Sequence, residues 1–177
     1  MNNMEHGAHF VDILDQYGHI AGQKRRRDID KTKDIYHAVY IVLVTPEGEV
    51  VLTHIPERDD LPNLYAGQLG VPVATIRRHD ESTIQAARRA AARELFIDDA
   101  EVHELGQEMF TLADGRKTLV SVFYLVGEPP ETFSKTDLAG FEVMTPAQVS
   151  RELQEHPEKF APTLRLLWQR YVKSLPV

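Results

Sequence analysis

The amino-acid sequence predicts a mixed α/β sandwich in which helices cover a sheet. Three observations lead there. Runs rich in Val, Ile, Leu and Tyr are punctuated by Gly-, Pro- and Asp-bearing turns in both halves of the chain. Between those halves lies one segment of helical spacing, "ESTIQAARRAAARELFID" (81–98). Apolar residues recur at helical spacing again near the C-terminus. The order is therefore strands, one central helix, strands, then helices.

The first strand expected is "FVDIL" (Phe10–Leu14). "DQYG" supplies turn residues, and "HIAGQKR" runs back as its hairpin partner. Residues 28–34 are charged and read as a loop or one helical turn. "HAVYIVLV" (His37–Val44) is β-branched and nearly all apolar, the pattern of a strand buried on both faces. "TPEGE" makes a turn, and "VVLTHI" (50–55) pairs back. "PERDDLPN" is a polar loop. "LYAGQLGVPVAT" (64–75) is extended, with glycines where backbone can approach closely. Beyond the central helix, "VHELGQEMFTL" and "KTLVSVFYLVG" form two strands joined by "ADGR", a hairpin turn. "GFEVMTP" is a further strand. Thr145 caps the next helix (146–154), with Pro146 at its first position and Gln148 completing a capping box. A last helix (162–172) carries Leu164, Leu167, Trp168 and Tyr171 on one face, a core-packing stripe.

The chain has 177 residues, a length that suits one domain, taken as 1–177 with 1–9 a flexible N-terminus. Net charge is −7, counting His as neutral, which argues against non-specific nucleic-acid binding. The basic run "QKRRRD" reads as a solvated segment, with phosphate contact as the other option. There is no cysteine, which excludes disulfides and thiolate metal sites. "MNNMEHGAHF" lacks the basic-then-apolar pattern of a signal peptide, and no apolar run approaches membrane-spanning length. A cytoplasmic protein without membrane partners is the expectation.

The central helix has an apolar face made by Ile84, Ala87, Ala91 and Leu95 at three- and four-residue steps. Ser82 or Asp80 caps its start, and Glu81 suits the positive end of the helix dipole. The other face carries Arg89, Ala90, Arg93 and Glu94. Positions 90, 93 and 94 are related by i, i+3 and i+4, so they converge on one patch. Three carboxylates there would hold Mg²⁺ or Mn²⁺, which take oxygen ligands. This chain has Ala, Arg and Glu instead.

With Glu81 on its first acid, the segment resembles the box of the Nudix family, G-x5-E-x7-R-E-U-x-E-E-x-G-U, where U is a bulky aliphatic. Glu81, Arg89, Glu94 and Ile97 match it. Ala90, Arg93 and Phe96 do not. Thr75 falls on the first glycine; Gly70 is the alternative, with an insertion after it. "FVDILDQYGHIAGQKRR", "YHAVYIVLVTPEGEVVLTHIPERDDLPNLY" and "GFEVMTPAQVSREL" resemble, in order, further segments of the subgroup similar to isopentenyl-diphosphate isomerase. The likeness covers nearly the whole chain. It implies a Nudix-like α/β/α sandwich (α/β, of the α+β kind), with a mixed sheet, a central box helix and C-terminal helices.

The resemblance also implies an activity. Family members commonly cleave a phosphoanhydride in nucleoside diphosphate derivatives with Mg²⁺ or Mn²⁺, which neutralises phosphate and helps activate water. Glu94, Glu81 and Arg89 are the residues it assigns to catalysis, with Glu94 the remaining metal ligand. Arg93 brings a positive charge where the cation belongs, a repulsion worth roughly a few kcal/mol, so metal-dependent hydrolysis is expected to be weakened. Asp80, Glu108, Glu128, Glu131 and Asp137 are the acids that could complete a site from outside the box. The isomerase needs a cysteine, and none exists here. His37 matches a histidine of that subgroup and reads as a ligand or a structural histidine.

Two other functions stay open. Arg77, Arg78, Arg88 and Arg93, with Gly70, could bind a phosphorylated small molecule without any cofactor, since guanidinium forks match phosphate oxygens. Alternatively those charges are solvated or paired, Arg93 with Glu94, and the chain is a scaffold with a vestigial pocket. In either, Glu81 and Arg89 brace the loop onto the helix. A homodimer is compatible with every one of these readings.

Overall fold

The structure, a computed structural model, describes residues 8–56, 65–112, 114–131 and 140–177. All but Pro56 of the expected loop "PERDDLPN" (56–63), and Asp137, lie outside those residues. Strand β3 (His37–Val44) is the spine of the molecule. It pairs in parallel with β8 (Lys117–Val126) along its whole length, from His37 opposite Leu119 to Val44 opposite Val126. On its other side the partner changes. The first half of β3 pairs with β6 (Val73–Ile76), and only Leu43 and Val44 pair with β4 (Val50–His54). Strand β4 then carries β5 (Leu69–Gly70) and β9 (Phe141–Met144), while β7 (His103–Thr111) flanks β8. This mixed sheet has the nearly continuous burial of β3 that its apolar run predicts.

Successive side chains of β3 point to opposite faces. Val39, Ile41 and Leu43 meet helix α1 (Thr83–Leu95) through Ala86, Ala87, Ala90, Ala91 and Leu95. Ala38, Val42 and Val44 meet α2 (Pro146–Glu155) and α3 (Pro162–Tyr171) through Val149, Leu164, Leu167 and Trp168. The result is the α/β/α sandwich the element order implies. The two capping boxes form as their sequences predict: Ser82 with Gln85 on α1, and Thr145 with Gln148 on α2, whose first residue is Pro146. Among the described residues no helix is long and apolar enough to cross a membrane.

One expectation is corrected. Ile84 is not part of the buried face of α1; it is exposed, and the small side chain of Ala90 takes the contact with the sheet. The helix lies so close to β3 that alanines fill its interface. The His9 carbonyl accepts a hydrogen bond from Arg26 N–H at 2.9 Å. The first hairpin, β1 (Phe10–Leu14) with β2 (Ile20–Arg25), forms a separate two-stranded sheet. It is fixed to the body by Leu14 N–H donating to Ile35 O at 2.8 Å.

His37 is a structural histidine. It is buried, and its Nε2–H donates to Ser121 Oγ (2.8 Å), which donates in turn to Gln107 Oε1 (3.0 Å). Burial, reinforced by the Arg77 charge, pushes the ring down to about 4. The unfolded ring titrates near 6.5. Its contribution to stability is therefore complete above that pH and is lost as pH falls toward about 4, by up to about 3 kcal/mol. Urea unfolding across this window should show a smaller loss for His37→Gln than for the wild type; equal losses would clear the ring of responsibility.

Phe96 ends α1 in the left-handed region (φ 58°, ψ 31°) and is 66% exposed. A β-carbon there costs roughly 1–2 kcal/mol, and glycine is the usual occupant. Phe96→Gly should raise stability in chemical denaturation by about 0.5–1 kcal/mol, less than the strain it relieves because glycine gains freedom in the unfolded chain. A loss instead would mean that the exposed ring makes a contact of its own.

Candidate functional site

The loop between β6 and α1 is held from several sides. Arg77 N–H donates to His37 O (2.9 Å), and the Arg77 guanidinium reaches Glu81 O (2.8 Å) and the buried Asp12 (2.8 Å). His79 Nδ1–H donates to the other Asp12 oxygen at 2.7 Å. Glu81 and Arg89 form the central brace. The Arg89 fork takes both Glu81 oxygens and also donates to Ile76 O (3.1 Å) and Thr75 Oγ1 (3.2 Å). The Arg78 N–H donates to Glu81 at 2.9 Å. Burial alone would raise the Glu81 pKa. The hydrogen bonds from Arg89 and the Arg78 N–H outweigh it and hold the carboxyl below its usual range. In this structure the pair does the bracing job, with both Glu81 oxygens accepting from Arg89.

Beside that brace lies a cavity of about 430 Å³. Its floor is β3 and β6, at Ala38, Tyr40 and Ala74 through Ile76, with Tyr36 at one side. Arg89 and Arg93, one helical turn apart on α1, reach it past the edge of β6. Arg78 enters from the loop. Arg26 and Arg27, in the helical turn after β2, and Lys31 close the far wall with His9. Among the described residues the lining holds six Arg and Lys side chains and no carboxylate. Like charges so confined repel by roughly a few kcal/mol per pair.

The remaining expected residues separate. Arg93 lines the cavity while its Nε–H donates to Glu94 Oε1 at 2.7 Å. Glu94 itself does not line it. Ala90 is fully buried against the sheet, so positions 90, 93 and 94 make no common patch. Arg77 is committed to Asp12 and Glu81, and Arg88 is exposed on the outer side of α1, so neither is a cavity residue. Gly70 pairs with Thr53 in the sheet and packs near Ile55, away from the cavity; Thr75 is the residue in contact with Arg89. Lys31, His9 and Tyr36 are the part that sequence reading missed, while Arg26 and Arg27 fall in the run 23–28 for which phosphate contact was the second option. The available signal was a basic run just after a hairpin in an otherwise acidic chain.

The site does not fit the divalent metal implied by the box. Mg²⁺ seeks several carboxylate or carbonyl oxygens. Here Glu94 is paired with Arg93, and among the described residues no group of three or more His, Cys, Asp or Glu side chains is placed to hold an ion. Of the acids outside the box, Glu108 pairs with Arg170 at 2.9 Å, while Asp80, Glu128 and Glu131 are exposed.

This sandwich, with a helix braced by a Glu–Arg pair against a mixed sheet, is the Nudix fold, and known proteins place it there. DR0079 from Deinococcus radiodurans, described as a hypothetical Nudix protein, superposes with a TM-score of 0.70 at 20% identity, over 92% of this chain and 99% of that one. The Nudix domain of Shewanella oneidensis NrtR, solved with ADP ribose, superposes with a TM-score of 0.51 at 16% identity, over 81% of this chain and 92% of that one. Among curated sequences, the uncharacterized Nudix hydrolase YfcD of Shigella flexneri is 23% identical over 165 residues, 93% of this chain and 89% of that protein. No family model matches the chain. The names of the relatives and the structural neighbours together support the Nudix hydrolase superfamily.

Because Arg89 is only partly exposed, removing the Glu81 charge strands it. Glu81→Gln should lower stability by roughly 1–3 kcal/mol, read as a shifted urea midpoint. An unchanged midpoint would show that the brace is dispensable.

Proposed function

We propose that this chain binds a phosphorylated small molecule in the arginine-lined cavity without a box metal, as a member of the isomerase-like Nudix subgroup whose box is degenerate. One observation carries the reading: six cationic side chains, from the turn after β2, the β6–α1 loop and α1, converge on one cavity of an acidic protein. Guanidinium forks pair with phosphate oxygens bidentately, and charge-assisted contacts are the strong ones. A bound polyanion converts the mutual repulsion of the wall into attraction. Tyr36 offers a flat apolar surface to whatever the phosphate is attached to. The NrtR domain solved with ADP ribose supports including that compound among the probes. A cytoplasmic setting and a small-molecule partner, with no nucleic acid, belong to the same proposal.

The chemistry assigned to the residues is binding and orientation. Arg26, Arg78 and Arg93 hold phosphate oxygens. Arg89 contributes charge while its fork stays on Glu81. A metal-dependent hydrolase is the second reading, favoured by the names of the relatives. Phosphate release from nucleoside diphosphate derivatives with Mg²⁺ and with Mn²⁺ separates the two. The binder reading expects no turnover that depends on Glu94. Turnover abolished by Glu94→Gln would establish the hydrolase. In metal-free buffer, calorimetry should show ADP ribose binding that Arg78→Gln or Arg93→Gln weakens by about ten- to a hundredfold.

A further inference from the structure

Two polar atoms at the cavity are buried and have no hydrogen-bond partner among the described residues: His9 Nδ1 and Arg78 Nε. A buried polar atom left unpaired is costly and uncommon, and calls for an explanation. Both residues are fixed through their backbones. The His9 carbonyl accepts from Arg26 N–H, and the Arg78 N–H donates to Glu81. The groups that act on the His9 ring come from three elements: Arg26 after β2, Arg78 and Glu81 before α1, and Arg89 on α1. Tyr36, ahead of β3, lines the same space.

Resting on the phosphorylated-ligand reading above, we propose that His9 and Arg78 together form the contact for one phosphoryl group, and that His9 takes up a proton when that group binds. The orphaned atoms are its hydrogen-bond donors in waiting. In the free cavity, burial first, and then the charges of Arg78, Arg89 and Arg26, hold the ring below its ordinary value against a smaller opposing pull from Glu81. The ring is thus neutral at neutral pH. A phosphoryl group brought among those cations reverses the local field. The ring then takes a proton from the solvent, and both of its nitrogens become donors. The arrangement selects an anion whose non-bridging oxygens can be shared between imidazolium and guanidinium. A neutral ligand would leave the ring unprotonated.

The test is calorimetry of inorganic pyrophosphate binding in metal-free Tris and HEPES buffers, which differ in ionisation enthalpy and so report protons exchanged. The wild type should take up more protons per pyrophosphate than His9→Gln, by a difference approaching one. Its affinity should gain on the variant as pH falls from about 8 to about 6, by up to roughly tenfold per unit. Arg78→Gln should weaken pyrophosphate roughly tenfold. Should His9→Gln fold poorly, the ring of wild-type His9 followed by NMR gives the same answer, as a pKa that rises on adding pyrophosphate. Binding by both proteins with equal proton counts, or a His9 pKa unmoved by bound pyrophosphate, overturns the role of His9 and leaves the binding reading standing. Unchanged affinity in Arg78→Gln overturns the pair. No binding by the wild type overturns both readings.

Discussion

The Glu81–Arg89 ion pair is the constraint on which the site depends. It ties the loop after β6 to the middle of α1, and through Ile76 O and Thr75 it ties both to the sheet. Once Arg89 is fixed there, helical geometry places Arg93 one turn further along on the same side. Once Glu81 is fixed, the loop delivers Arg78 to the cavity and Arg77 to Asp12. Asp12 in turn holds the first hairpin, and the turn after that hairpin supplies Arg26 and Arg27. A chain of local contacts thus gathers cations that stand far apart in sequence.

That gathering explains how an acidic protein sustains a basic hollow. Net charge acts over long range and is screened by salt, whereas the cavity field is set by a few groups within a short distance. The price is mutual repulsion, which the Glu81 carboxylate relieves at Arg89 and Glu94 relieves at Arg93. Arg26 and Arg78 make no ion pair within 4.0 Å among the described residues. Their charge is the part most available to a ligand. In the box of the family the corresponding side of the helix would present carboxylates to a cation. Here Arg93 stands on that side and lines the cavity, and the proposed occupant is accordingly an anion.

Much of the fold was legible because it rests on local patterns. The apolar run of β3, the capping boxes at Ser82 and Thr145, and the turn residues around Gly115 each specify their own element. The brace was legible only through the resemblance, which puts Glu81 and Arg89 on box positions; Glu81 lies ahead of α1, so helical periodicity does not pair it with Arg89. The cavity was less so. His9, Arg26 and Lys31 precede β3, and nothing periodic links them to α1; only the pairing of β6 with β3 and the docking of the first hairpin bring them to it. Ile84 and Ala90 were assigned to the wrong sides of α1 because hydrophobicity ranks isoleucine as the more buried. The close approach of helix to sheet favours alanine instead.

The central claim is that cationic side chains, rather than a divalent metal, receive the phosphate. The most direct test is the dissociation constant of inorganic tripolyphosphate measured first in EDTA and then with excess Mg²⁺. Binding that is tight in EDTA and weakens as Mg²⁺ competes for the phosphate oxygens is the predicted result. Binding that appears only when Mg²⁺ is added would contradict the account and return the box helix to a metal-holding role.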